Sequence, residues 1–186
     1  MTQEQIKTFR EGFKLTSTGT YEDTGKTDVK RQMLAHYIRK SGTENWEMLG
    51  YKQESFAVAS NYESNPVTDV TGATYNDITG KAEAIEMSEY NVNPNKTKFL
   101  EEAIKLKITN AEEEMQDYEI LTVYGFLRNS ENKCLATLEK DCTVVLENLG
   151  GQGFTHSDVN ITLSGVKTFG TVKEISSTPT FEEYTA

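Results

Sequence analysis

The sequence predicts a mainly β fold, a β-sandwich or barrel with one flanking α-helix and a long polar hairpin. Three observations carry that expectation. Val159, Ile161 and Leu163 alternate with Asn160, Thr162 and Ser164, the two-residue period of a strand with one dry and one wet face. Tyr118 to Leu127 is apolar at both parities, as a central strand is, and Thr143 to Leu146 is a β-branched and apolar run suited to a strand with little solvent on either side. Turn signals recur at short intervals, the clearest being Gly150, Gly151 and Gly153, which can take the positive φ that a turn between strands demands. Two strands, a glycine hinge and a return strand closing on Gly165 to Val172 therefore read as an antiparallel module over 134–172.

Size and charge narrow the functional classes. A chain of 186 residues is long enough for one domain with a substantial core. Its 19 Lys and Arg stand against 29 Asp and Glu, a net charge of −10, which argues against wrapping nucleic acid because phosphate neutralisation needs basic side chains. The same charge suits a wall to which DNA must not adhere. Apolar residues reach 36%, low enough to expect a large exposed or polar-lined area. No run approaches a membrane span and no basic-then-apolar leader opens the chain, so an intracellular product is expected. Cys134 and Cys142 are too few for a disulfide framework and too far apart along one strand to bond, so reduced core thiols are expected.

From the N-terminus, Ile6, Phe9 and Phe13 fall at helical spacing within 1–15, a weakly amphipathic helix. Residues 16–28 are rich in Thr, Gly, Asp and Glu and read as a flexible linker. Residues 1–28 thus form an arm, either disordered or docked on a neighbouring subunit. Val29, Met33, Leu34, Tyr37 and Ile38 share one helical face, so local periodicity favours a helix there. Trp46 to Ser60 reads as a strand pair or one long strand broken at Gly50, with Trp46 a core or rim anchor.

Residues 61–80 are polar and turn-rich, and the segments flanking Thr71-Gly72 read as a hairpin with glycine at its tip. A long hairpin that cannot bury its own sides needs a partner surface, here a second copy of the chain. Residues 81–92 form a further strand. Asn93-Pro94 opens the one well-signalled helix, whose face is Phe99, Leu100, Ala103, Ile104 and Ile108, with Glu101 and Lys105 paired one turn apart. Glu112 to Glu114 is a solvated acidic loop, and 176–186 is a short polar tail.

Catalytic constellations are missing from the sequence. His36 and His156 have no acid or thiol at ligand spacing, so structural or surface roles are expected and no metal site. Neither a nucleophile elbow nor HExxH occurs, and Gly150 to Gly153 lies between strands with no lysine or helix behind it, which makes it a turn rather than a phosphate loop. The carboxylates form no glycosidase-like pair, and Glu63, Asp69 and Asp77 lack the regular spacing of a calcium loop. No cofactor is expected and enzymatic function has no support.

The order of segments carries a resemblance. Lys30-Arg31, then Leu34-Ala-His-Tyr-Ile38, then Trp46-Glu-Met-Leu-Gly50 resembles the opening of the major tail (tail tube) proteins of long-tailed, non-contractile bacteriophages. The likeness continues through Asn61 to Pro66, the hairpin Val67 to Gly80, the helix Asn95 to Lys107, and the closing strand and glycine turn Val144 to Gly153 with Gly165 to Val172. It spans about 30–174, and departs from the family where Gln152 and Phe154 stand in place of frequent acidic residues.

The resemblance implies a tail-tube-like β domain over 29–175 and hexameric rings stacked as a hollow tube, with sheets joined between neighbours so that no edge is left open. It implies a negative lumen that conducts DNA without specific binding, partners among tape-measure and tail terminator or tip proteins, and a place in the virion tail after synthesis in the host cytoplasm. It also implies a strand at Met33 to Arg39, which overrules the local helical period. Expected interface residues are Thr68, Val70, Thr71 and Gly72, then Thr74, Tyr75, Ile78 and Thr79 on the hairpin, with Lys96, Lys98, Glu101 and Lys105 at the helix. Replacing Val70 and Ile78 by Asp is expected to block polymerisation. The alternatives are the inner tube of a contractile tail, tailocin or type VI secretion-like machine, or, in another class, a lectin-like β-sandwich with Trp46, Tyr51 and Tyr62 around its pocket.

Overall fold

The computed structural model describes residues 2–15, 20–23, 26–29, 31–51, 53, 56–68, 70–71 and 74–185. In chain order the elements are α1 (Gln3–Glu11), β1 (Lys14–Leu15), β2 (Thr20–Asp23), β3 (Lys26–Val29), a 3-10 turn (Arg31–Met33), β4 (Leu34–Lys40) and β5 (Glu47–Met48). Then come β6 (Ala57–Thr68), β7 (Thr74–Asn91), α2 (Lys98–Ile108), a second 3-10 turn (Glu112–Glu114), β8 (Tyr118–Arg128), β9 (Cys134–Leu146), β10 (His156–Thr162), β11 (Lys167–Val172) and β12 (Phe181–Glu183). The fold is mainly β. A continuous antiparallel sheet runs β5-β4-β8-β9-β10-β7-β6, with β1 on β8, β11 on β9 and β12 on β11, while β2 and β3 pair separately.

That sheet turns over at β9. The first half of β9 lies between β8 and β11, and its second half pairs with β10. Register with β8 slips between Tyr118↔Cys142 and Ile120↔Glu139, one extra residue on β9, and Asp141 there holds φ 56°. A bulge of this kind reverses which face the even-numbered residues present. Cys134, Ala136 and Leu138 accordingly enter one core, with Tyr37, Leu121 and Val123, whereas Cys142, Val144 and Leu146 enter the other, with Ile38, Ile120, Ile85 and Ile161. The second, larger core is closed by α2 through Phe99, Leu100 and Ala103. Both cysteines are free and buried in one continuous strand, as the sequence indicates.

The helical period at 33–38 gives way to β4. Ile38 faces the larger core and Tyr37 the smaller, so apolar residues occur at both parities and mimic a helical face. Other expectations are corrected. Among the described residues, 46–60 hold only the two-residue β5 and the start of β6, with Gly50 at φ 96° between them. The strand at 81–92 is continuous with the hairpin arm, giving β7 its 18 residues. Val145 is 44% exposed, so 143–146 has one wet face rather than none. The helix starts at Lys98 instead of Asn95, because Asn93 caps a turn by accepting from the Asn95 amide at 3.0 Å. Ile108 is exposed, off the packed face.

Both ends of the chain pack on the sheet. Phe9 of α1 lies against Phe13 and Tyr184, with ring centroids 4.9 and 4.6 Å apart, and meets Phe169 of β11 edge-on. α1 thus meets the chain's own C-terminal strands, and β1 pairs with β8 at Leu127 and Arg128. Within the stretch read as linker, 20–23 and 26–29 pair as a ribbon, and 16–19, 24–25 and Lys30 lie outside the described residues. The stretch read as a polar tail folds back over the smaller core. Tyr37 Oη donates to the Ser176 carbonyl at 2.8 Å, and Phe181 packs on that core. Glycines make room for this return: a methyl at Gly125 would lie 2.8 Å from Ile175 Cδ1, and one at Gly170 2.5 Å from the Phe181 ring.

Candidate assembly interface

Three surfaces stand out, and the first is the hairpin. β6 and β7 pair from Ala57↔Glu86 to Thr68↔Thr74, with a register shift between Glu63 and Ser64. On its other edge β7 meets β10 only at 84–91. Beyond that, 63–68 and 74–80 pair with each other alone among the described residues, an arm of about 20 Å at strand rise. Thr68, Thr74, Tyr75, Ile78 and Thr79 lie along it, Val70 and Thr71 form the described part of its turn, and Gly72 lies outside the described residues. Val70 is fully exposed. Glu63 and Asp77 belong to these strands rather than to loops, Asp69 lies outside the described residues, and no group of acids or histidines able to hold a metal occurs among those described.

The second surface is the wet face of the sheet around β10. Register aligns Val145, Asn160, Glu86 and Ala57 in one row, and Thr143, Thr162, Ala84 and Ala59 in the next. Alternate rows, Val144-Ile161-Ile85 among them, point into the larger core. Glu86, Glu147 and Asp158 share the wet side, flanking one shallow depression of about 220 Å³ without a lysine or arginine in its wall. Asp158 is held in place: its Oδ1 accepts from the Glu89 amide at 2.6 Å and its amide donates to Asn148 Oδ1 at 2.8 Å. Acidic side chains and uncharged ones share this face.

The third surface surrounds Trp46, at the N-terminal end of α2. Two adjoining troughs, of about 430 and 490 Å³, share Trp46, Glu47, Asn95 and Lys96. The Arg39 guanidinium lies 4.2 Å from the Trp46 ring centre and is itself tied to Glu119 at 2.5 Å. Thr97 precedes α2 without capping it. Glu47 reaches across from β5 instead, its Oε2 accepting from the Phe99 amide at 3.1 Å. Burial pushes the Glu47 carboxyl up to about 7, against the opposing pull of the Phe99 and Lys98 amides and the Lys98 charge. Lys96 falls in the turn before the helix, Lys98 opens it, and Glu101 and Lys105 form the expected pair at 2.6 Å.

The sequence expectations therefore separate in space, the hairpin residues on the arm and the lysines at the mouth of the Trp46 trough. Nothing near Glu47 in the chain marks it as a helix cap, because it lies 52 residues from Phe99. His36 is buried against Thr122, with Nδ1 3.0 Å from Oγ1, and stacks on Phe56, which is the structural role expected.

No family model matches the chain, and no curated protein does. Among solved structures it is similar to the tube-terminating cap of the anti-feeding prophage, at 12% identity and a TM-score of 0.42, over 81% of this chain and 96% of that one. A likeness of that degree carries no argument about what this chain does.

Proposed function

We propose that the chain is a structural subunit of a phage-type tail tube, assembling into hexameric rings that stack around a bore through which DNA passes. The observation that carries the reading is the hairpin arm. Two strands alone are marginally stable in water, and this pair extends beyond every other strand described in its own chain. An arm of that kind is completed by a second copy. The sheet also ends on β6 at one side and on the two-residue β5 at the other, leaving edges that a ring of subunits would close. The wet face bearing Glu86, Glu147 and Asp158 fits a bore wall that repels phosphate. Under this reading tape-measure and terminator or tip proteins are the partners, and the virion tail is the location.

Against a glycan-binding module stands the Trp46 ring, one face of which is covered by Arg39. Inner tubes of contractile tails, tailocins or type VI-like machines would use the same surfaces, and a co-purifying sheath protein would distinguish them.

The test is negative-stain electron microscopy of the purified chain at high concentration, beside size-exclusion chromatography with light scattering. Rings or hollow tubes are expected, and Val70→Asp is expected to suppress them while the monomer keeps its circular dichroism spectrum. A chain that stays monomeric at every concentration and salt overturns the reading.

A further inference from the structure

We propose that the trough around Trp46 is the docking site for the acidic turn Glu112–Glu114 of a second copy of this chain, an inference that rests on the self-assembling reading above. Copies that each carry a net charge of −10 repel one another, so a stable contact must spend cations against acids. Several of the described cations are already engaged. Arg39 is tied to Glu119, Lys105 to Glu101, Lys133 to Glu131 and Glu182, and Lys167 to Glu83. Lys40 donates to the carbonyls of Glu114 and Gln116, and Lys107 to that of Leu146.

Lys96 and Lys98 are among those outside these contacts, with Lys7, Arg10, Lys14, Lys140 and Lys173, and they are the ones that line the trough. Both are exposed beside Trp46, and neither makes a salt bridge among the described residues. The Lys98 charge does act on Glu47, and Glu102 shares the wall, so that Arg39, Lys40, Lys96 and Lys98 there outnumber the two acids. The complementary feature is the longest acidic run in the sequence, Glu112-Glu113-Glu114, all three exposed and likewise outside any described ion pair. Lys40 holds this turn by its backbone, which leaves the three carboxylates for an outside partner.

The placement also selects the kind of contact. The lysines stand at the start of α2 and the acids just past its end, and eleven residues of helix hold the two about 16 Å apart. A contact that joins the head of one helix to the tail of the next uses two different patches. It is heterologous, and it propagates into a ring or a filament instead of closing as a two-fold dimer.

Charge exchange tests this. One variant carries K96E and K98E, another E112K, E113K and E114K, and a third carries all five. Each partial variant is expected to raise the concentration at which assembly begins by about tenfold or more, while keeping a cooperative thermal transition and the wild-type circular dichroism spectrum. The five-fold variant is expected to assemble again, because its reversed patches are complementary. An equimolar mixture of the two partial variants is expected to form alternating assemblies, visible by light scattering. Partial variants that assemble like wild type overturn the docking site and leave the tube reading standing. Partial variants that fail, with neither the mixture nor the five-fold variant recovering, overturn it as well. A wild-type chain that never assembles defeats both.

Discussion

Glu47 is a carboxylate asked to cap a helix from inside a partly buried trough, and the two demands pull its protonation in opposite directions. Burial wins, and the folded carboxyl titrates near 7 against an ordinary value of 4.5. A carboxyl raised by folding contributes stability that is complete below its unfolded value and is lost as pH rises through its folded one. From this group alone the protein should therefore lose stability between about pH 4.5 and pH 7. Glu47→Gln keeps an acceptor for the Phe99 amide and removes the titration. The thermal midpoint of the variant, compared with wild type at pH 5 and pH 8, should show a smaller decline on going to the higher pH. Equal declines would mean that the trough leaves Glu47 solvated.

At the scale of elements, α1 shows how little of a helix's stability is local. Thr2 and Gln5 cap it reciprocally, yet nine residues are too few to hold a helix in water. Its persistence depends on Phe9 against Phe169 and Tyr184. Phe9→Ala should abolish amide-exchange protection across 3–11 while leaving β8 and β9 protected. Protection retained at 3–11 would show that something other than this aromatic contact holds the helix.

The same elements mark where sequence reasoning succeeds. Alternation at 159–164 foretold β10, whose dry residues do enter the larger core, and the run of polar residues foretold a hairpin. β4 was harder, because a strand with a core on each side loses the two-residue signature and a helical period can be traced through it. That strand came from the family resemblance, not from the period. The docking of Phe9 was illegible for another reason: its partners are 160 and 175 residues away, and nothing in α1 names them. The bulge at Asp141 likewise has no local mark, since aspartate is only one of several residues that tolerate left-handed backbone.

For the whole molecule the acidic wet face carries the strongest consequence of the proposed tube. If Glu86 and Glu147 line the bore, the pair E86K and E147K turns a repelling wall into one that holds phosphate. Assembled tubes of that variant should retain DNA at low salt and release it as salt rises, measured by co-sedimentation, whereas wild-type tubes should retain none. Retention equal to wild type would place this face elsewhere than the bore.

One strand, finally, decides how such a tube would carry load. Because β9 supplies its first half to one core and its second half to the other, changing face at a bulge, the two halves of the sheet share a backbone. Tension entering through the hairpin would pass from β7 to β10 to β9 along hydrogen bonds loaded in parallel, and from there into β8 and β11. A tail built from such subunits would share its load through paired strands within each subunit, and would bend first at the joints between subunits.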